Sequence, residues 1–353
     1  MKQILLICAA VVVLGFGKKV PEQQANLPAA NPPAQPPAKK TEQPPAKPEV
    51  EPPQAMFTPG MKAALKAHEA GNYREAVRLF AIELAVEEAK PASSWVQLSY
   101  LHQVLGMLYR ANQYDKALDH YQKSLAINLK ELGPEHTSVA NIYHDTGMVH
   151  HNKGEYDKAL DLYQKALAVL QKNLGPKHPI VANIRHNIGL AHDKKSEYNK
   201  ALEQYQKVLE IWLKQLGPEH LIVAKIYYHI GEVHRKKGEF DKALIHFQKC
   251  NTIRLKQLGP NHPDVADIYN DIGWVHLHKG EHNKALDNFQ EALKIQLKVL
   301  GPEHRKVARC YNGIGLVHHA KGENDKALEH FQKALAILLE ILPLKDPFEA
   351  GIY

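Results

Sequence analysis

Histidine is the residue type whose number and spacing most suggest chemistry in this sequence. The chain has 22 histidines among 353 residues, and ten of them recur at a fixed interval of 42 residues. Each of the two recurring sets has five members: His136, His178, His220, His262 and His304, then His150, His192, His234, His276 and His318. An imidazole can cap a helix, hydrogen-bond a neighbour or bind a metal. We expect the first set to cap helices and the second to pack at a buried edge with a ring N–H bonded to a neighbour. A histidine-rich metal-binding array is the alternative.

A second group of residues also follows the 42-residue interval but changes in type each time. Spacings of three or four residues put each set on one face of a helix. Identical positions are explained by packing, whereas positions that differ are free to serve a ligand. We call this group the variable stripe: Asn141, His144, Met148, His151, Asn183, His186, Leu190, Asp193, Lys225, Tyr228, Glu232, Arg235, Asp267, Asn270, Trp274, His278, Arg309, Asn312, Leu316 and His319.

The variable stripe has two interpretations. It is either a ligand-binding surface or a solvated polar face on which Met148, Leu190, Trp274 and Leu316 are partly covered by neighbours. We favour the ligand-binding surface, because a purely solvated face has no need for Trp274. Asparagine, histidine, tyrosine, arginine and tryptophan can hydrogen-bond a peptide backbone and hold aromatic or acidic side chains.

Enzymatic chemistry has no sequence signal. The chain contains no nucleophile elbow, His-Glu-x-x-His motif, phosphate-binding loop or dinucleotide fingerprint. Three cysteines are too few for a disulfide framework, and we interpret Cys250 and Cys310 as small buried residues. The sequence therefore predicts a non-enzymatic protein with no catalytic residue and no cofactor.

The charge pattern argues against nucleic acid as a partner. The formal net charge is +7 and the pI is about 9.0. Lysines lie beside carboxylates, as in Asp157-Lys158 and Asp241-Lys242, and no run of five basic residues occurs. A nucleic-acid surface would cluster its basic residues, so we expect no nucleic acid as a partner.

The elements that must position these side chains are repeats. Leu-Gly-Pro recurs at a constant spacing of 42 residues, beginning at Leu132, Leu174, Leu216, Leu258 and Leu300. A fixed period of this length indicates a solenoid. We place full repeats at 133–174, 175–216, 217–258, 259–300 and 301–342, and degenerate repeats at about 58–90 and 91–132.

Each repeat is predicted to contain two helices. In residues 133–174, apolar residues keep helical spacing from Val139 to Val149, and Gly154 ends that helix. A second such run extends from Ala159 to Leu174, where Gly-Pro stops it. Small residues recur where paired helices must approach closely: Gly147, Gly189, Gly231, Gly273 and Gly315 in the first helix, and Ala159, Ala201, Ala243, Ala285 and Ala327 in the second. Ser196 replaces the glycine of the turn between the helices, which predicts a strained left-handed turn.

The spacing of aromatic and small residues resembles the tetratricopeptide signature, as seen in Tyr143, Gly147, Tyr156, Ala159, Tyr163 and Ala166. The 42-residue period and the Leu-Gly-Pro-x-His joint resemble the kinesin light chain and nephrocystin subgroup. The resemblance covers about residues 91–342. It implies an all-α fold, a right-handed superhelical solenoid of about seven helix-turn-helix (tetratricopeptide) repeats. It also implies that the variable stripe lines an inner groove that binds a protein or an extended peptide.

The N-terminal segment predicts export. Lys2 precedes an apolar stretch from Ile4 to Leu14, which is too short to span a bilayer comfortably, and small residues follow it. We therefore predict a signal peptide at 1–17, a disordered Pro/Ala-rich linker at 18–57 and a C-terminal tail at 343–353. The predicted location is periplasmic, cell-envelope or extracellular. An uncleaved N-terminal membrane anchor is the alternative, and the only membrane contact we expect.

Overall fold

The computed structural model describes residues 57–341. The predicted signal peptide, all of the predicted linker except Phe57, and the C-terminal tail lie outside this range. Within it, the chain forms fourteen α-helices and no strand. No helix in the described range is long and apolar enough to cross a membrane.

The described residues belong to two compact halves, 57–215 and 216–341. The helices of the N-terminal half are α1 (Pro59–Glu69), α2 (Tyr73–Glu88), α3 (Trp95–Tyr109), α4 (Tyr114–Leu132), α5 (Thr137–Lys153), α6 (Tyr156–Leu174), α7 (Pro179–Lys194) and α8 (Tyr198–Leu216). Those of the C-terminal half are α9 (Leu221–Lys236), α10 (Phe240–Leu258), α11 (Pro263–His278), α12 (His282–Leu300), α13 (Arg305–Ala320) and α14 (Asn324–Ile341).

Within each half, helices that follow one another in the chain pack together. Each predicted repeat contains one pair, such as α5 with α6, α9 with α10 and α11 with α12. First helices of successive repeats within a half also touch: α5 contacts α7, and α11 contacts α13. The predicted all-α architecture of helix-turn-helix repeats is confirmed.

The first recurring set of histidines caps the first helices, as predicted. Nδ1 of His136 accepts a hydrogen bond from the backbone N–H of Ser138 at 3.1 Å. His178, His220, His262 and His304 make the same bond at 3.1–3.2 Å. The bond satisfies one of the N–H groups that a helix start leaves unpaired.

The second recurring set also behaves as predicted, and the structure identifies the neighbour. Nδ1 of His150 lies 2.7 Å from Oε2 of Glu155, five residues later. The pair recurs in the other four full repeats at 2.6–2.8 Å. Each pair bridges the end of the first helix and the start of the second, so it fixes the turn between them.

The turn at Ser196 is left-handed, as predicted. Ser196 has φ 61°, and it is the one non-glycine residue in the range 57–341 with a positive φ. Gly154 occupies the same turn with φ 81°. The backbone bonds match as well, since Glu197 N–H donates to His192 O and Glu155 N–H donates to His150 O, both at 2.9 Å.

We predict that Ser196→Gly stabilises the protein. Glycine adopts this backbone without the Cβ clash of an L-residue, so the free energy of unfolding should rise by about 0.5–1 kcal/mol in urea denaturation. Gly154→Ser, the reverse change in an equivalent turn, should lower it by a similar amount. An unchanged or lowered value for Ser196→Gly would contradict the strain argument.

Candidate functional site

In the N-terminal half, the variable stripe lies on α5 and α7. Asn141 and Asn183 are exposed, and the remaining members there are half-buried: His144, Met148, His151, His186, Leu190 and Asp193. The stripe therefore reaches the surface of this half at every member, although only two of its members are exposed.

Polar contacts join successive first helices in this half. Nδ2 of Asn187 donates to Nε2 of His144 at 2.7 Å, which links α7 to α5. Nη1 of Arg110 donates to Sδ of Met148 at 3.2 Å and lies 3.9 Å from Oδ1 of Asp145. Arg110, Asp145 and Asn187 were missed by the sequence analysis. Asp145 and Asn187 each follow a stripe residue directly, and that adjacency was the available signal.

In the C-terminal half, the stripe lies on α9, α11 and α13, and its members differ in exposure. Four are exposed and six are half-buried: Lys225, His278, Arg309 and His319, then Tyr228, Glu232, Arg235, Asp267, Trp274 and Leu316. Asn270 and Asn312 are buried, which corrects their assignment to a ligand-binding surface. Nδ2 of Asn270 points across to α13 and lies 3.5 Å from Sγ of Cys310, so neighbouring helices enclose it.

His278 also departs from the predicted stripe. It lies one residue beyond the register of the other helices, where α11 has Leu277. The His278 ring stacks on Phe240 of α10, with centroids 5.5 Å apart and planes 1° from parallel. Leu277 instead packs against the apolar cluster beside Trp274.

The apolar stripe residues contact the core. Trp274 packs edge to face on Phe289, with centroids 5.6 Å apart, in a cluster that includes Ile314 and Val317. Met148 and Leu316 also pack on buried clusters. Neighbours therefore partly cover these three side chains. Because core packing alone accounts for a tryptophan at position 274, Trp274 does not distinguish the two interpretations of the variable stripe.

Three ion pairs lie among the stripe helices of the C-terminal half. Arg235 holds Glu232 with two bonds of 2.8 Å, and Lys306 Nζ lies 2.8 Å from Asp267. Arg309 of α13 bonds Asp271 of α11. We call these six residues the charged face.

In each pair of the charged face, the cation is more exposed than the carboxylate. The side-chain exposures are 31% against 17% for Arg235 and Glu232, and 36% against 28% for Lys306 and Asp267. The contrast is largest for Arg309 and Asp271, at 42% against 6%. The carboxylates therefore lie beneath the cations, and the groups offered to a partner are mostly positive.

Asp271 is the functional candidate that the sequence analysis missed. Its side chain is nearly fully buried, Oδ1 accepts from Arg309, and Oδ2 has no hydrogen-bond partner. Burial raises the pKa of Asp271 to about 6, although Arg309 acts in the opposite direction. The signal in the sequence was a carboxylate directly after the stripe residue Asn270.

Metal and thiol chemistry have no support in the described residues. No group of three or more His, Cys, Asp or Glu side chains between residues 57 and 341 is placed to hold a metal ion, and ten histidines are engaged as caps or glutamate partners. Cys250 and Cys310 are free and buried, as predicted. Burial raises the pKa of the Cys250 thiol to about 11 and of the Cys310 thiol to about 12, which disfavours the reactive thiolate.

The repeat geometry agrees with a comparison against known families. The sequence model of the tetratricopeptide repeat matches residues 96–172, 138–214, 194–255, 222–298 and 275–340, which together span more than half of the chain. The chain belongs to the tetratricopeptide repeat family. A search of curated proteins gave no significant match.

Solved structures similar to this tetratricopeptide repeat protein include one described as a kinesin light chain. That structure, from Podosopora anserina, has nearly identical TPR-like repeats, 21% identity and a TM-score of 0.52, and the match covers 58% of this chain and 98% of that one. BtubC (BKLC) from P. vanneervenii has 17% identity and a TM-score of 0.54, with 70% and 93% covered. The apo form of RapI has 17% identity and a TM-score of 0.57, with 80% and 97% covered. At these identities, the likeness establishes the fold alone.

The packing of Trp274 generates a prediction for this tetratricopeptide repeat protein. Trp274→Ala should lower the free energy of unfolding by about 2–3 kcal/mol, because it opens a space beside Phe289, Ile314 and Val317. Ile245→Ala is the matched control, since Ile245 is 51% exposed on α10 and its loss should change stability by less than about 0.5 kcal/mol. Urea denaturation of both variants measures the difference, and equal stabilities would argue for a free Trp274 side chain.

Proposed function

We propose that this chain is a non-enzymatic scaffold that binds a protein or an extended peptide on the stripe-bearing faces of its first helices. Membership of the tetratricopeptide repeat family supports a protein-binding role, because repeats of this family in general bind proteins or peptides. The variation of the stripe between repeats, against the constancy of the packing residues, supports these faces as the place of recognition.

A more specific proposal rests on the difference in exposure between the cations and the carboxylates of the charged face. Arg309, Arg235 and Lys306 are more exposed than the carboxylates beneath them, and exposed Lys225 lies on the same helix as Arg235. A guanidinium already held by a carboxylate loses little side-chain freedom when a partner binds. The preferred partner of the C-terminal half is therefore an extended segment that carries carboxylates.

The test is an array of acetylated and amidated 12-residue peptides rich in glutamate and aromatic residues, each with a counterpart in which glutamine replaces glutamate. The purified chain should prefer the glutamate peptides. The double variant Asp271→Asn/Arg309→Gln should bind them at least about tenfold more weakly, a loss of roughly 1.4 kcal/mol. It removes the exposed cation together with its buried partner, so that no unpaired charge is left in the interior.

Arg305→Gln is the matched control for this experiment. Arg305 is exposed on the first turn of α13, outside the stripe, and its loss removes one positive charge from the same helix. Its affinity should change less than about twofold, and thermal melts should establish that both variants are folded. Equal losses for the two variants, or equal binding of glutamate and glutamine peptides, would contradict recognition by the charged face.

We further propose that the scaffold works outside the cytoplasm, from the signal-like segment before Lys18 and the proline-rich stretch that follows it. The mature chain should begin near Lys18, and mass spectrometry of the protein purified from its own host measures this directly. An intact N-terminus in a membrane fraction would favour the uncleaved anchor, and an intact N-terminus in the cytoplasm would contradict export.

A further inference from the structure

Asp271 has an unusual bonding state for a buried carboxylate. Arg309 bonds Oδ1, but Oδ2 is buried and has no donor. A buried charged oxygen without a donor is costly, and a proton on that oxygen removes the charge. The ionised form of Asp271 is therefore only weakly favoured over the protonated form, even though Arg309 pairs with it.

Asp271 interacts electrostatically with groups on four helices, α9, α10, α11 and α13. Its own helix supplies Asp267, α9 supplies Tyr228, Glu232 and Arg235, α10 supplies Cys250, and α13 supplies Arg309 and Cys310. Asp267 and Glu232 raise the pKa of Asp271 in addition to burial, whereas Arg309 and Arg235 lower it. The ionised form is thus opposed by two carboxylates and favoured by the two guanidinium groups that a partner would use.

An incoming carboxylate changes this balance. A carboxylate that reaches Arg309 competes with Asp271 for the same guanidinium and adds a further negative charge beside Asp267 and Glu232. Both effects favour the neutral form of Asp271. Arg309 is exposed enough to be reached, whereas Asp271 is not, so the partner touches the cation and Asp271 responds from beneath it.

We propose that an acidic segment bound through Arg309 is taken up together with a proton on Asp271, so that acidic partners bind the charged face more tightly as the pH falls. This inference rests on the proposed function of the charged face. It identifies Asp271 as a positioning residue that makes the affinity of the C-terminal half sensitive to pH.

The direction of the pH effect follows from linkage. If the bound carboxylate raises the pKa of Asp271 above its value in the free protein, binding takes up a fraction of a proton. Affinity then rises as the pH falls through the bound-state pKa and levels off below the free-state pKa, which burial has already raised to about 6. Glutamate side chains of a partner stay largely ionised above about pH 5.5, so the window from about pH 8.0 to pH 5.5 isolates Asp271 from the partner's own titration.

The experiment uses the tightest glutamate peptide from the array and its glutamine counterpart, with the full purified chain. Isothermal titration calorimetry at about pH 8.0 and 5.5, in buffers of different ionisation enthalpy, measures affinity and proton uptake together. The wild-type affinity for the glutamate peptide should rise at least about fivefold on acidification, the lower end of typical couplings. Asp271→Asn, which mimics the neutral acid, should bind tightly at both pH values and take up much less of a proton.

Exposed histidines are the competing cause, because their protonation also attracts acidic groups. The double variant His278→Gln/His319→Gln removes both exposed histidines of the stripe in this half and should retain the wild-type pH dependence. Loss of the dependence in that variant, or an equal dependence in wild type and Asp271→Asn, would overturn the role of Asp271 while leaving the charged face intact. If no peptide of the array binds, or if glutamine peptides bind as well, the proposed acid-binding function itself fails.

Discussion

The contact on which the rest of the structure depends is the one between a glycine of each first helix and an aromatic ring of the second. A Cβ atom added at Gly147 would lie 2.7 Å from the ring of Tyr163, and the same clash recurs against Phe247 at Gly231. Tyr163 and Phe247 are almost completely buried. Because the ring fills the space that a side chain would need, the two helices can approach to one separation only, and every later pair inherits the same geometry.

That constraint decides where variation can occur. The glycine, the aromatic ring and the first alanine of the second helix (Ala159 and its equivalents) must stay close to the same size in every repeat. The two recurring histidines must keep their caps and glutamate partners. What remains free is the stripe of the first helix and the residues just beside it. In the C-terminal half, some of these variable positions form ion pairs between successive first helices, such as the pair of Arg309 on α13 and Asp271 on α11. Packing therefore creates the surface on which recognition is proposed.

The sequence could predict what one repeat determines by itself. Helix caps such as His136, the close approach at Gly147 and the left-handed turn at Ser196 all follow from residues within one repeat, and the structure confirms them. The burial of Asn270 against Cys310 and the pairing of Asp271 with Arg309 depend on contacts between repeats. Such contacts join residues about 40 positions apart, and a periodic pattern does not state which side chains meet there. Trp274 is a related case, because an aromatic residue at a variable position can pack on the core of neighbouring helices, and the sequence does not show that contact.

The layering of the charged face joins stability to recognition. The carboxylates of Glu232 and Asp271 hold Arg235 and Arg309 in defined positions. An acidic partner therefore meets cations that have already lost much of their rotamer freedom. The same carboxylates repel that partner, and the repulsion grows with their burial because the surrounding protein screens charge less than water does. Preorganisation and repulsion therefore come from the same atoms and cannot be adjusted separately by changing the cations. Protonation of the most buried carboxylate is the one change in this cluster that reduces the repulsion while Arg235 and Lys306 keep their partners, and Asp271 is the carboxylate whose environment favours it.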